Sequence, residues 1–224
     1  MLLYSGCSVT YGDELQGPEE TEEGHKNRLA KRYSALVGLP HVNIARCGIS
    51  NDIMVMETID LLEKNSSFDF VIAQFITPER ISYWDGFMWN HIMPHNSDKV
   101  IPAKMWYKWL DCDEQRMMNL WKNVYLLEQY LEKRDIPHYF WRVSYTDPAK
   151  NKVIENTYWK ASKWKNMTIH TDLIGRRRDN PENYAPDLRN INHRFGGGHP
   201  GEAGHRVFAD HIQGILPKHL YQSS

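Results

Sequence analysis

The chain opens with the stretch Met1-Leu2-Leu3-Tyr4-Ser5-Gly6-Cys7-Ser8-Val9-Thr10-Tyr11-Gly12-Asp13-Glu14-Leu15. Its first four residues are apolar enough for a short buried strand, and the small residues that follow break this strand. In an open α/β sheet, reacting groups collect at the carboxyl ends of the strands. The glycines on either side of Ser8 permit tight or left-handed backbone there. The stretch therefore predicts a first strand whose end presents Ser8.

Further along the chain, short apolar runs alternate with stretches of helical periodicity. Strands are predicted at His41–Ala45, Phe68–Ile76 and Ile136–Val143, with a weaker candidate at Met167–His170. Helices are predicted at Asn27–Val37, at Glu114–Arg134, and after His199 with Pro200 as a first helical residue. A further helix is predicted with Asp52 or Ser50 as its cap and with Ile53, Met56, Ile59 and Leu62 on its apolar face. The alternation predicts an α/β protein with a mainly parallel, flavodoxin-like sheet of about five strands.

Two zones interrupt this alternation within a predicted single domain over residues 1–224. An aromatic-rich insertion covers 83–112, and a loop-rich insertion covers 144–198. Trp84, Trp89 and Trp106 in the first insertion follow no sustained period. They indicate either a secondary core or a substrate-facing lid or sugar platform, and we take them as candidate substrate-binding residues. A third segment, the acidic stretch Gln16–Gly24, is expected to be a solvated loop.

Composition limits the classes of partner. The formal net charge is -1, so nothing points to bulk binding of nucleic acid or of an anionic membrane. No apolar run approaches the ~20 residues of a membrane span. Because the first predicted strand begins at Met1, we expect no N-terminal signal peptide, and hence a protein that is cytoplasmic or exported by another route.

The cysteines do not indicate a metal or disulfide framework. Cys7, Cys47 and Cys112 are odd in number and form no CxxC pair. We expect them to be reduced, with Cys7 and Cys47 close in space because each precedes a candidate site residue. The spacing of His193, His199 and His205 matches no common zinc pattern, so no metal and no other cofactor is predicted.

An acyl-transfer site needs a nucleophile, a base and hydrogen-bond donors for the oxyanion. Ser8 offers a hydroxyl and its own amide, and Gly48 offers a second amide after the second predicted strand. His199, just before the last helix, offers an imidazole base. The turns after strands one, two and three would bring Ser8, Gly48 and Thr77 to one edge of the sheet.

These segments resemble the conserved blocks of the SGNH (GDSL-type) hydrolases. The segment Gly6 to Leu15 resembles the first block, with Cys7 where the family often has Asp. The segment Asn43 to Asp52 looks like the second, with Gly48 as the oxyanion glycine, and His199 to His205 is similar to the last, with His199 as the base. The resemblance implies a three-layer α/β/α hydrolase that acts on esters, often acetyl or other acyl groups on lipids or glycans.

The chain departs from the family pattern at two points. The third block normally ends in Gly-x-Asn, whose amide completes the oxyanion hole, whereas this strand ends Ile76-Thr77-Pro78. Asn51 or Thr77 is our candidate replacement, because losing one donor typically costs about 3–4 kcal/mol of transition-state stabilisation. The second departure is Gly196-Gly197-Gly198 where the family has an acid before the histidine. A backbone carbonyl or one of Asp172, Asp179 and Asp187 would have to orient the ring instead.

The sequence therefore predicts a serine-dependent carboxylic ester hydrolase with Ser8 and His199 as catalytic residues. Ser8, Gly48, Asn51 and Thr77 are the candidate oxyanion residues. The missing Asn and Asp keep a second hypothesis open, a catalytically weak or inactive binding or structural module with the same fold. A third is an acyltransferase that uses the same serine.

Overall fold

The computed structural model describes residues 1–13, 15, 21–76, 78–93, 101–142, 167–169 and 199–222. These residues fall into two compact units, Met1–Cys47 with His170–Ser224, and Gly48–Ile169. We call them unit 1 and unit 2 and describe each by itself. The predicted single domain over 1–224 concerns the whole chain and stays a prediction.

Unit 1 contains the strand that opens the chain. Strand β1, Leu2–Ser5, is buried along its whole length and pairs in parallel with β2, His41–Asn43, in the register Leu2↔His41 to Tyr4↔Asn43. The described residues between these strands contain the helices α1, Ser8–Tyr11; α2, Glu22–Lys31; and α3, Tyr33–Leu36. The predicted first and second strands are confirmed, although the second ends two residues earlier than expected.

The predicted helix at Asn27–Val37 is wrong in its bounds. Arg32 adopts an extended backbone with ψ 147°, which separates α2 from α3. Helix α2 begins earlier than predicted because the Thr21 side chain accepts a hydrogen bond from the Gly24 amide at 3.0 Å. Glu22 and Glu23 then lie in the first helical turn, where negative charge is favourable. That part of the acidic stretch is therefore helix rather than loop.

The last long helix of unit 1 packs against α3. We label it α7, Glu202–Ile215, with Gly201 as its N-cap residue. Pro200 precedes the helix, so its predicted position as a first helical residue is wrong. Phe208 is fully buried against Tyr33 of α3, with 5.7 Å between the ring centroids. A short 3₁₀ helix at Lys218–Tyr221 follows α7.

Unit 2 is built around the apolar run that the sequence predicted as a central strand. This strand, β3, spans Phe70–Phe75, and all six of its residues are buried. It pairs in parallel with β6, His138–Arg142, and β6 pairs in parallel with β7, Met167–Ile169. A strand buried on both faces is expected to be continuously apolar, as this one nearly is.

Helix α4, Asn51–Lys64, precedes β3, and Ser50 caps it by accepting from the Ile53 amide at 3.5 Å. Its buried face is Asn51, Ile53, Met54, Val55, Thr58 and Leu62. Met56 is 47% exposed, so the predicted apolar stripe through Met56 is wrong. Helix α6, Asp113–Lys133, leads into β6 and agrees with the predicted helix to within one residue at each end.

The described parts of the aromatic-rich insertion form regular secondary structure. Strands β4, Ile81–Trp84, and β5, Trp89–Ile92, form an antiparallel hairpin. At its turn the Asp85 carboxylate accepts from the Phe87 and Met88 amides, each at 2.9 Å, and Gly86 has φ 102°. Helix α5, Ile101–Trp109, follows. An Asp-Gly pair is a strong hairpin signal, which the surrounding aromatic residues obscured.

The parallel strand pairs of both units, with described helices between β1 and β2 and between β3 and β6, confirm the predicted α/β class. None of the described helices combines the length and apolarity needed to cross a membrane. Most of the predicted insertion at 144–198, with Asp172, Asp179 and Asp187, lies outside the described residues.

Candidate active site

Ser8 begins helix α1 immediately after β1. The residue is buried, and the Cys7 thiol donates to its Oγ across 3.7 Å. The amide groups of a first helical turn have no acceptor within their own helix, so the Ser8 amide is free of intrahelical hydrogen bonding. The strand-to-helix turn predicted from the small residues is thus present, with the serine at its first helical position.

Asp13 follows the end of α1, and its carboxylate was not among the site residues predicted from the sequence. Gly12 has φ 86° and donates its amide to the Val9 carbonyl at 3.2 Å, while the Asp13 amide donates to the Ser8 carbonyl at 2.9 Å. This pair of hydrogen bonds is a Schellman motif. A Cβ at Gly12 would lie 2.9 Å from Arg32 Cβ, so both the positive φ and the space require glycine. The motif ties the backbone of Asp13 directly to that of Ser8.

The Asp13 side chain faces His199. Its Oδ2 lies 3.8 Å from His199 Nδ1, and both side chains are about four-fifths buried. A carboxylate on this nitrogen is what fixes the tautomer of a catalytic imidazole and leaves Nε2 free to accept a proton. At 3.8 Å the separation is longer than a hydrogen bond. Asp13 thus occupies the position for which the sequence offered only Asp172, Asp179, Asp187 or a carbonyl.

The Cys47 thiol also contacts the Asp13 carboxylate. Its thiol hydrogen-bonds Asp13, and partial burial, followed by the negative charge of Asp13, raises the pKa of Cys47 far above its ordinary value. Cys7 also contributes to this rise, in line with the expected closeness of the two cysteines. The Cys47 thiol is therefore neutral at physiological pH. Cys7, Cys47 and Cys112 form no disulfide among the described residues.

A hydrogen-bond network connects α1 with α7 through Tyr33. The Tyr33 hydroxyl and Thr10 Oγ1 are 2.9 Å apart, and the Tyr33 amide donates to His205 Nδ1 at 3.1 Å. Asn43 at the end of β2 donates to the Thr10 carbonyl at 2.8 Å. These contacts fix the helix that carries Ser8 relative to the helix that follows His199.

His205 of α7 packs inside unit 1. It is fully buried, stacks on Tyr33 with a centroid separation of 5.9 Å, and its Nε2 has no hydrogen-bond partner among the described residues. Burial, and secondly the nearby His199, lowers its pKa to about 3. Because Nδ1 accepts from an amide, the proton of the neutral ring is on Nε2.

His205 should make the protein less stable in acid. The unfolded chain protonates this ring below about pH 6.5 whereas the folded chain does not, so stability is lost as pH falls from 6.5 towards 3. We expect this group to lower the free energy of unfolding by about 2 kcal/mol between pH 7 and pH 5. Urea unfolding at both pH values measures it. His205→Asn should remove this part of the pH dependence, and His211→Asn, on the same helix, should remove less. An unchanged pH dependence in His205→Asn would contradict the assignment.

The predicted oxyanion residues beyond Ser8 lie in unit 2. Gly48 has φ 77°, a left-handed conformation that favours glycine. Asn51 is buried, and its side chain closes a ring with the Ile76 backbone: Oδ1 accepts from the Ile76 amide at 2.9 Å and Nδ2 donates to the Ile76 carbonyl at 3.2 Å. One Nδ2 hydrogen is not used in this ring. Thr77 lies outside the described residues. The oxyanion roles stay predictions.

The three candidate tryptophans separate into two places within unit 2. Trp84 and Trp89 are a cross-strand pair of the hairpin, with a centroid separation of 5.6 Å and exposures of 53% and 39%. Trp106 of α5 instead lines a cavity of about 970 Å³ with Tyr83 and Tyr125. Trp84 and Trp89 therefore contact each other, whereas Trp106 lies among other aromatic residues of the cavity.

Comparison with known proteins identifies the fold. No protein-family model matches the sequence, and no curated protein matches it at a significant level. Among solved structures, the psychrotrophic esterase EstA from a Pseudoalteromonas species, in a structure inhibited by monoethylphosphonate, matches with a TM-score of 0.52 and 11% identity over 98% of both chains. A member of the lipolytic protein G-D-S-L family from Veillonella parvula matches with a TM-score of 0.46 and 11% identity, covering 97% of this chain and 98% of that one. The second score is too low for an inference.

The likeness to EstA shows that the chain has the fold of that esterase. The predicted three-layer α/β/α class, and with it the resemblance to SGNH hydrolases at the level of the fold, is confirmed. At 11% identity the likeness extends to the fold alone, because one fold commonly carries several functions. Activity has to be argued from the site.

Proposed function

We propose that this protein is a serine-dependent carboxylic ester hydrolase with Ser8, His199 and Asp13 as its catalytic residues. The observation that carries the proposal is the link through Asp13, whose amide bonds the Ser8 carbonyl at 2.9 Å and whose carboxylate lies 3.8 Å from His199 Nδ1. Ser8, Asp13 and His199 are thereby linked within unit 1, which supports these proposed roles. The fold shared with an esterase is consistent with this reading.

The proposed reaction has two steps. Ser8 Oγ attacks the acyl carbonyl while His199 Nε2 accepts the serine proton, and His199 then returns that proton to the leaving alcohol. The product of this step is an acyl ester on Ser8. In the second step a water molecule attacks the acyl carbon while His199 accepts its proton; the bond to Ser8 Oγ then breaks, His199 returns the proton to Ser8 Oγ, and the carboxylic acid leaves. Asp13 keeps the Nδ1 proton in place and stabilises the imidazolium formed in each step.

The oxyanion would be held by backbone amides and one side chain. The Ser8 amide lies at the start of α1, where it has no acceptor in its own helix. The Gly48 amide is the second proposed donor, and the remaining Nδ2 hydrogen of Asn51 or the Thr77 hydroxyl is the third. The proposed substrates are acetyl or other acyl esters, including those on glycans or lipids.

The rival proposal is an inactive module with the same fold. The observation that favours it is the ring between Asn51 and the Ile76 backbone, which commits most of the amide of a proposed oxyanion donor. Only an activated serine reacts readily with a fluorophosphonate, so this reagent separates the two proposals.

Labelling of the native protein with a fluorophosphonate tests the proposed function. We expect one adduct per chain, located on Ser8 by peptide mass spectrometry, with labelling abolished in Ser8→Ala. The buried serine at the end of β1, Ser5, serves as the internal control and should remain unmodified. A folded wild-type protein that takes up no label, or takes it up elsewhere, would support the inactive module.

A further inference from the structure

A cavity of about 970 Å³ lies wholly within unit 2. The hairpin strand β4, the helix α5, the first half of α6 and the first turn of α4 contribute its lining. Its size is near the upper end of the range for ligand sites, roughly 300–1,000 Å³. The Tyr107 hydroxyl of α5 contacts the Glu79 carbonyl at 2.6 Å and the Ile92 carbonyl at 3.2 Å, which holds α5 against the hairpin. The walls therefore belong to one connected set of elements.

Aromatic and other apolar side chains supply much of the lining. Tyr83 of β4, Trp106 of α5 and Tyr125 of α6 come from three different elements, and Met118 of α6 adds a flexible thioether. Met118 and Tyr125 are 57% and 47% exposed, so the lining is accessible from solvent. Flat, polarisable surfaces of this kind suit an apolar ligand with ring faces.

The charged residues of the lining are paired with one another. The Asp52 carboxylate accepts from Asn119 and Lys122, each at 3.0 Å, and from Asn123 at 3.2 Å. Burial would raise the pKa of Asp52, but these hydrogen bonds outweigh it and lower the pKa, so the carboxylate is ionised. Arg116 and Asp111 form a second pair through two nitrogens of the guanidinium. Each charge faces an opposite charge, so a charged ligand would have to break an existing pair.

Two neutral polar side chains of the lining, Ser82 and Asn119, also have partners within unit 2. Ser82 Oγ is 2.6 Å from both Ser50 Oγ and His91 Nδ1. A carbohydrate needs a hydrogen-bond partner for nearly every hydroxyl that it buries. Because the charged groups of the lining and these two polar side chains already have partners, the cavity suits an apolar ligand better than a sugar. This differs from the sugar platform considered for Trp106 from the sequence.

We infer that this cavity is a binding site for an uncharged, predominantly apolar small molecule that carries aromatic rings. The ligand inserts between Tyr83, Trp106 and Tyr125 and leaves both ion pairs intact. The inference does not depend on the proposed esterase activity, because the lining includes none of Ser8, Asp13 and His199.

A pair of fluorescent probes tests the charge and the class of the ligand. N-phenyl-1-naphthylamine is uncharged, and 8-anilino-1-naphthalenesulfonate has the same ring system with an added sulfonate. We expect the uncharged probe to bind one site per chain at least about tenfold more tightly than the anionic one. Equal or tighter binding of the anionic probe would overturn the inference. Displacement of the uncharged probe by a neutral oligosaccharide such as maltohexaose would also overturn it, in favour of a glycan site.

Two matched variants test the location. Met118→Trp places a larger side chain into the cavity, whereas Leu126→Trp makes a comparable change at an exposed residue of α6 that does not line it. We expect the dissociation constant of the uncharged probe to rise at least about tenfold in Met118→Trp and to change less than about twofold in Leu126→Trp. Equal affinities in both variants and the wild type would overturn the inference, because the probe would then occupy another apolar surface.

Cys112 gives an independent measurement in the wild-type protein, which remains decisive should Met118→Trp not fold. This free, exposed thiol lines the cavity. Saturating N-phenyl-1-naphthylamine should slow its alkylation by iodoacetamide at least about fivefold, whereas the same concentration of the anionic probe should not. Alkylation that is equally fast with and without the uncharged probe would overturn the inference.

Discussion

Replacing Ser8 by alanine is expected to lower kcat/KM for p-nitrophenyl acetate at least about 10³-fold, because the variant loses the nucleophile of the proposed reaction. The residue is buried and its hydroxyl contacts the Cys7 thiol, so the substitution removes one oxygen and leaves the backbone of α1 unchanged. Initial rates at several substrate concentrations measure the effect.

The matched control for this substitution is Ser5→Ala, which removes another buried hydroxyl three residues earlier. We expect Ser5→Ala to stay within about tenfold of the wild type. Urea unfolding of both variants shows whether either has lost structure. A Ser8→Ala protein that is folded and hydrolyses the ester at the wild-type rate would remove Ser8 from its proposed role.

Replacing Asp13 by asparagine is expected to lower kcat about 10- to 10³-fold with little change in KM. Asparagine keeps the shape of the side chain but removes the charge that faces His199 Nδ1 at 3.8 Å. The loss should be smaller than the roughly 10⁴-fold known for a directly bonded acid, because this separation exceeds a hydrogen bond. Steady-state kinetics with p-nitrophenyl acetate separate kcat from KM.

Asp210→Asn is the matched control, since it makes the same chemical change at an exposed position of α7. Its kcat should remain within about twofold of the wild type. If Asp13→Asn also retained wild-type kcat, another group would have to orient His199. Asp172, Asp179, Asp187 and a backbone carbonyl would then return as the candidates.

Apolar patterns were sufficient to predict much of the architecture. The continuous apolar run that became β3 and the long amphipathic helix α6 have bounds close to those predicted, because burial dictates both patterns. Local capping was harder to recognise. Thr21 starts α2 within a stretch whose acidic composition suggested a loop, and Arg32 ends α2 without any glycine or proline signal.

The candidate site was predictable where it depended on the position of a residue relative to a strand or helix. Ser8 follows β1, and His199 precedes α7, as expected. Asp13 was missed because its proposed role depends on how α1 ends. A four-residue helix is too short to show a periodic pattern in the sequence. The signal was present all the same: Gly12 after a short run from Ser8 indicates a left-handed cap, and the next residue is the carboxylate.

The Schellman motif at the end of α1 has a kinetic consequence. Two of the three proposed catalytic residues, Ser8 and Asp13, are brought together by one local turn. This turn forms when Gly12 takes its left-handed conformation. Only His199 has to arrive from a distant part of the sequence, with the docking of α7 against Tyr33. The return of the proposed esterase activity during refolding would therefore report the docking of α7, and a slow docking step would leave an inactive protein whose strands have already formed.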